Sequence, residues 1–195
     1  SNLWKNEPNQ YGPSWKEIAD FVRNRDQYLC KVCGNPQTET THHVHHIKPF
    51  RAFDSIQDAN DTENLITLCP SCHRRAERVV RIRSGLAGAA YTLGHIAPLF
   101  LMCDTRDLGV FSDPQFILGD RQPTIVIYEM IPAGIGFAQR LFERSDELIK
   151  SAFELVSKCI CSDGCPSCIG PGGEQGSGSK KEVLAIFNSI QFGEK

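Results

Sequence analysis

The sequence predicts an α+β fold in two small, cross-linked domains. Three observations lead there. The chain of 195 residues holds nine cysteines, and eight of them fall into two groups, Cys30, Cys33, Cys69, Cys72 and Cys159, Cys161, Cys165, Cys168. Short β-branched runs alternate with apolar residues at helical spacing. At Leu86 the composition changes from arginine-rich to small and apolar, which divides the chain into residues 1–84 and 85–195.

Apolar residues make up 41% of the chain, enough for two modest cores that need additional cross-links. The formal net charge of −2 gives no global electrostatic case for nucleic acid, so any such contact must rest on local basic patches. Residues 86–103 are uncharged apart from His95 and approach membrane-spanning length, but Gly88, Gly94 and Pro98 within them favour a buried helix and no membrane partner. Nine cysteines without a recognisable signal peptide point to a reducing, cytoplasmic setting, where such residues serve as metal ligands more often than as disulfides. The chain opens Ser1-Asn2 without methionine, and a piece of a longer protein is the expectation.

Ser14 and Glu17 have the spacing of a capping box, and Trp15, Ile18, Ala19 and Val22 follow at helical spacing, so a first helix is expected over 14–25. It leads to Cys30-Lys-Val-Cys33-Gly34, a tight knuckle in which Gly34 permits positive φ. Residues 41–47 read as a short strand, 56–63 as a polar connection and 64–69 as a second strand. A helix is expected from about Ser71 to Arg83, with Gly85 as its stop signal. Beyond it the order reads helix, loop, strand, helix, knuckle, helix. The strand is the β-branched run 124–128, and the long amphipathic stretch starts after Gly134-Ile-Gly-Phe and ends near Lys158. A glycine-rich linker over 170–178 precedes a last helix that Ser179 can cap.

Cys30, Cys33, Cys69 and Cys72 form two CxxC pairs separated by 35 residues. Four thiolates at such spacing close a tetrahedral Zn²⁺ site with no open coordination position, so the site is structural. Its binding free energy would supply much of the folding free energy of a domain short of core. A plain zinc ribbon would need nothing more. This stretch also carries Val44-His45-His46-Ile47 in the first strand, Asn64 at the start of the second, and His73 directly after Cys72.

That pattern resembles the HNH endonuclease family in residue type, order and spacing, over about a quarter of the chain. The resemblance implies a ββα-metal fold in which His45 and His73 hold one divalent catalytic cation, Mg²⁺ or Mn²⁺. His46, on the opposite side of the strand from His45, would be the general base that activates water. Asn64 would tie the loop and orient His46. An imidazole suits the base role because its ordinary pKa lies near neutrality. In His42-His43-Val44-His45-His46 the register favours the second pair, since Ile47 and Pro49 follow it. His42 and His43 are then expected to be exposed at the start of the strand, although one of them can supplement the metal shell.

DNA, the expected partner, would be gripped through the helix that follows. Arg74, Arg75, Arg78, Arg81 and Arg83 lie there with only Glu77 opposing them, and Arg74, Arg78 and Arg81 share one face. Guanidinium groups so placed suit phosphates. Lys48 and Arg51 are further candidates. Charge runs alone usually mark a solvated face, and nothing here looks able to read a base sequence.

Cys159-Ile-Cys161-Ser-Asp-Gly-Cys165-Pro-Ser-Cys168 packs four thiols into ten residues and predicts a second structural zinc. Cys103 is left as a buried free thiol. With Gly85-Leu-Ala-Gly, His95-Ile-Ala-Pro, Cys103-Asp-Thr-Arg-Asp-Leu-Gly109 and Tyr128-Glu-Met-Ile-Pro-Ala-Gly-Ile-Gly136, this run resembles the Mrf-type zinc-binding domain at the C-terminus of certain DEAD/DEAH-box helicases. The likeness covers most of 85–190. Departures fall at Glu129, where aspartate is usual, and at Ala133, where glycine is usual.

The resemblance implies helicase motor domains as partners, in the same polypeptide or complex, in DNA repair or in defence against foreign DNA. The chain itself should not bind ATP. Its nearest phosphate-loop candidate, Gly173 to Lys180, has Ser179 where lysine must follow the glycine. The leading expectation is a metal-dependent DNA endonuclease module; the alternative is a non-catalytic zinc-dependent module that binds DNA or docks protein.

Overall fold

The computed structural model describes residues 11–131, 134–171 and 180–192, apart from the side chains at positions 51, 119 and 192. The fold is mixed α+β, and contacts divide it into a unit ending at Val80 and a unit beginning at Arg81.

In the first unit, helix α1 (Trp15–Arg25) buries Ala19 and Val22, one turn apart on a single face. The expected capping box does not form. Ser14 has turn-like φ −83° and ψ 3° and makes no side-chain cap; the Trp15 amide instead donates to the Gly12 carbonyl at 3.2 Å. At the other end Gln27 and Tyr28 both take positive φ and reverse the chain into the first cysteine knuckle, where Gly34 (φ +74°) needs its conformational freedom.

Strand β1 (His43–His46) pairs antiparallel with β2 (Leu65–Leu68), in the register His43 to Leu68 and His46 to Leu65. It is shorter than the expected 41–47 because the His42 amide goes to the Gln37 side chain and the His42 carbonyl takes the Arg23 guanidinium. The connection expected over 56–63 is ordered rather than irregular. Ser55 caps helix α2 (Ile56–Ala59) by accepting the Asp58 amide, and a 3₁₀ turn (Thr62–Asn64) leads into β2. The apolar interior is small: Ala19, Val22, Cys30, Ala59, Leu65, Leu68 and Cys69 are its buried members. Polar groups reinforce it. Arg25 at the end of α1 donates to the Thr62 and Leu65 carbonyls, while Asp26 accepts from Arg25 and from the Thr67 amide.

Helix α3 (Pro70–Leu101) corrects the expected stop at Gly85, which it passes without a break. The glycines serve close approach instead. A Cβ on Gly85 would stand 2.6 Å from Ile186, and one on Gly88 would stand 2.5 Å from Val183. Both neighbours lie on helix α6 (Lys180–Phe192). Among the described residues no helix is long and apolar enough to cross a membrane.

The remainder of the second unit contains a hairpin where a loop followed by one strand was expected. Strand β3 (Leu108–Phe116) pairs antiparallel with β4 (Gln122–Glu129). Asp113-Pro114 masks β3 in the sequence, because proline cannot donate to the ladder, and the register shifts there between Asp113 and Phe116. The long amphipathic stretch is two helices, α4 (Phe137–Glu143) and α5 (Ser145–Lys158), divided at Arg144. Arg144 leaves helical geometry and sends its guanidinium to Glu147 and to the Phe100 carbonyl. The core joins Leu93, Ile96 and Ala97 of α3, Leu141 of α4, Leu148, Ala152 and Val156 of α5, and Val183 and Phe187 of α6. The expected linker beyond residue 171, and Ser179 as a cap, lie outside the described residues.

Candidate metal and nucleic-acid site

The two cysteine groups each converge, with all four sulfurs of a group within 4.8 Å of one another. Cys33 and Cys69 stand 3.7 Å apart, Cys159 and Cys165 3.7 Å, and Cys161 and Cys168 3.6 Å. A tetrahedron of sulfurs at Zn–S about 2.3 Å has edges of about 3.8 Å, so both quartets fit zinc without rearrangement. Their protonation supports the same reading. Burial pushes the Cys30 thiol up, but amides of Cys69, Cys33 and Val32 outweigh it and bring it down to about 6. Contact with the Cys69 thiol, then burial and the remaining thiols, drive Cys72 up to about 12. In the second quartet Cys165 is lowered to about 7 by the Ser167 amide and neighbouring thiols, and burial foremost lifts Cys168 to about 12. Complete deprotonation of either quartet therefore calls for a cation at its centre.

In the second quartet Lys180, the first residue of α6, donates to the Cys159 carbonyl at 2.5 Å and the Cys161 carbonyl at 3.2 Å. The lysine that fails as a phosphate-loop residue thus binds the knuckle. Cys103 is half-buried, not fully buried, and burial raises its thiol pKa.

The first quartet brings the end of β2 and the start of α3 to the histidine strand. His73 on α3 meets His45 edge to face, ring centroids 5.2 Å apart, and His43 stacks on His73 at 4.7 Å. His73 Nδ1 lies 3.7 Å from Glu77 one turn along α3. Burial, with the neighbouring histidines adding to it, lowers His45 below the ordinary imidazole range; burial likewise lowers His73, against the opposing pull of Glu77. Neutral rings carry the lone pairs a metal needs. The two facing imidazoles suit one divalent cation, although among the described residues only the cysteine quartets bring three such donors together.

His46 occupies a separate aromatic setting. Trp15 stacks on it at 5.2 Å and 13°, with Tyr11 at 5.1 Å and Phe50 at 5.2 Å. Burial lowers its pKa despite a hydrogen bond from Nε2 to Asn60 Oδ1 at 3.0 Å. The residue that meets His46 is therefore Asn60, and the expectation that Asn64 orients it is corrected. Asn64 ties the loop: its Oδ1 accepts the Lys48 amide at 2.8 Å and its Nδ2 donates to the Lys48 and Ala59 carbonyls. Asn60 escaped notice because it lies 14 residues from His46 on a segment read as irregular. Glu77 had a signal, its i+4 spacing from His73.

His42 is buried, not exposed as expected, with Nε2 at 3.0 Å from the Asn35 carbonyl. Arg74, Arg75 and Arg78 are exposed on α3. Arg81, placed on the same face by spacing, has Glu182 of α6 at 3.9 Å. The Lys48 ammonium lies 5.2 Å over the Phe53 ring. The Arg51 side chain lies outside the described residues.

Two converging cysteine quartets, one beside a histidine hairpin and the other among helices, define a protein with two candidate zinc sites. Residues 30–78 match the HNH endonuclease family and residues 89–169 the MrfA Zn-binding domain. The chain is 37% identical over 105 residues to the uncharacterized ATP-dependent helicase YprA of Bacillus subtilis, covering 54% of this chain and 14% of that protein. It is 42% identical over 102 residues to the ATP-dependent helicase HRQ1 of Saccharomyces cerevisiae, covering 48% and 10%. Protein MJ1572.1 of Methanocaldococcus jannaschii shares 36% identity over 76 residues, 38% of this chain and 68% of that protein. Among solved structures, DUF1998 helicase MrfA bound to DNA superposes with a TM-score of 0.51 at 35% identity, over 58% of this chain and 15% of that one. The chain thus spans about a seventh or less of these helicases. The chain is an HNH endonuclease-family domain joined to an MrfA Zn-binding domain, homologous to the C-terminal region of DUF1998 helicases.

Proposed function

We propose that this chain is a metal-dependent DNA endonuclease module, residues 1–84 carrying the nuclease and 85–195 the helicase-associated zinc domain. The observation that carries the reading is the hairpin β1–β2 with His45 facing His73 and His46 on the strand beside them, within the segment that matches the HNH family. His45 and His73 would hold the divalent cation, Mg²⁺ or Mn²⁺, which when bound neutralises charge on the phosphate and leaving oxygen. His46, kept neutral by burial, takes a proton from water as the water oxygen forms its bond to phosphorus. The phosphorus–sugar oxygen bond breaks, and the leaving oxygen takes a proton from solvent. Asn64 holds the loop at Lys48 so that β1 keeps its place. Arg74, Arg75 and Arg78, with Arg81 where Glu182 releases it, supply phosphate contacts, as do Lys48 and Arg51. The structure of a relative bound to DNA supports DNA as the substrate, and motor domains of a helicase as the partner that delivers it. Repair or defence against foreign DNA is the setting proposed for that pairing.

The test is plasmid nicking with Mg²⁺ or Mn²⁺ by the native chain and by His46→Ala, with zinc content measured in both. A loss of at least about 10²-fold in rate at unchanged zinc content is expected. Equal cleavage by the variant removes His46 from the role. A second reading, a non-catalytic DNA-binding or docking module, draws on the observation that among the described residues no three donor atoms that include His45 and His73 lie within 4.8 Å of one another. DNA binding without cleavage across several divalent metals would favour it.

A further inference from the structure

Asn60 is buried at 6% exposure, and both ends of its amide are engaged. Its Nδ2 donates to the Tyr11 carbonyl at 2.7 Å, and its Oδ1 lies 3.0 Å from His46 Nε2. A backbone carbonyl only accepts, so the amide cannot be reversed without setting two oxygens against each other. Oδ1 must therefore face the imidazole. An amide oxygen also only accepts, and the contact is a hydrogen bond only if Nε2 carries the proton. Tyr11, Trp15 and Phe50 surround the ring at centroid distances of 5.1 to 5.2 Å, which opposes a flip that would put Cε1 in the place of Nε2 and Cδ2 in that of Nδ1. Nδ1 has no hydrogen bond among the described residues, and it is not one of the buried atoms left without a partner.

We propose that Asn60 is the positioning residue that holds His46 as its Nε2–H tautomer and so makes Nδ1 the nitrogen that accepts the proton from water. This rests on the nuclease reading above for its consequence, though not for the tautomer itself. As the water oxygen bonds to phosphorus, its proton passes to Nδ1. The phosphorus–sugar oxygen bond breaks with its electron pair, and that oxygen takes a proton from solvent. The ring becomes an imidazolium while Nε2–H still donates to Asn60. A hydrogen bond from a charged donor is stronger than one from a neutral donor, so the contact strengthens as the reaction proceeds and favours the transition state over the ground state.

The experiment uses the zinc-loaded chain labelled with ¹⁵N-histidine, in long-range proton–nitrogen spectra, with His46→Gln identifying the signals by their loss. The expected wild-type pattern is a protonated Nε2 and a bare Nδ1. Asn60→Leu should give a mixture of tautomers and lower kcat for plasmid nicking by about tenfold or more with KM little changed. A protonated Nδ1 in the wild type overturns the proposal even if Asn60→Leu fails to fold. An unchanged pattern in a folded Asn60→Leu overturns it as well. The Nε2–H pattern in a chain that cleaves no DNA supports the tautomer assignment and refutes the nuclease reading alone.

Discussion

Asn64 clasps Lys48 at both ends of that residue's backbone, accepting its amide hydrogen at 2.8 Å and donating to its carbonyl at 3.1 Å. A third bond reaches the Ala59 carbonyl at 2.9 Å, so one side chain joins the exit of β1 to the end of α2. Replacing it leaves three half-buried backbone groups without their partner. Asn64→Ala should destabilise the first unit by roughly 1–3 kcal/mol. Asn64→Asp, which keeps an acceptor for the Lys48 amide, should cost less. Urea unfolding of the zinc-loaded variants checks this order, and equal losses would show that the bond from the Lys48 amide contributes nothing.

Asp26 links acid sensitivity to the packing of α1 on β2. Burial alone would raise its pKa, but Arg25 and the Thr67 amide outweigh burial and hold the carboxyl below its ordinary value. A depressed folded pKa means stability that is present above the unfolded value of about 3.9 and lost as pH falls through the folded value. Asp26→Asn should therefore be less stable than wild type at pH 7, by about 1–3 kcal/mol. The gap should close as pH drops below about 4. A gap that is constant with pH would mean that shape, not charge, makes the contribution.

Zinc should be present at two ions per chain, because each quartet already has the sulfur spacing of a tetrahedral site. Cys30→Ser should release one zinc and unfold the first unit, whose apolar interior is small. Cys168→Ser should release the other and loosen α6 through Lys180, which donates to the Cys159 and Cys161 carbonyls. Metal analysis with circular dichroism checks both. A single tight zinc in the native chain would contradict the pair of sites.

Glu129, one of the two departures from the family pattern, reaches across to the start of α4. Its carboxylate accepts the Ile135 amide at 2.6 Å and the Ala138 amide at 2.8 Å, and these bonds, that from Ala138 foremost, lower its pKa. Glu129→Gln would turn an amide donor toward backbone donors and should lower the Tm of the second unit. Glu129→Asp, shorter by one methylene, should keep one of the two bonds and lose less. Zinc content should not change in either, and a Glu129→Gln melting curve that overlays the wild type would argue against the contact in solution. Ala133, the other departure, lies outside the described residues.

The cysteine quartets and the α+β class were legible in the sequence, for a physical reason. Ligands spaced two or three residues apart can reach a common ion whatever the remainder of the chain does, and apolar periodicity reports burial directly. The histidines, Asn64 and the arginines were legible as residue types, but their partners were not. His46 meets an asparagine 14 residues away, and Arg81 meets Glu182 on a helix about a hundred residues later. Local signals misled wherever tertiary packing supplied the deciding contact. Gly85 reads as a stop, yet α3 continues because α6 needs the space. Asp113-Pro114 reads as a loop, yet β4 pairs on either side of it. The sequence by itself determined which cysteines can meet at a metal. Only the tertiary structure decided which nitrogen, carboxylate or guanidinium each of them meets, because those contacts depend on long-range packing that no spacing rule encodes.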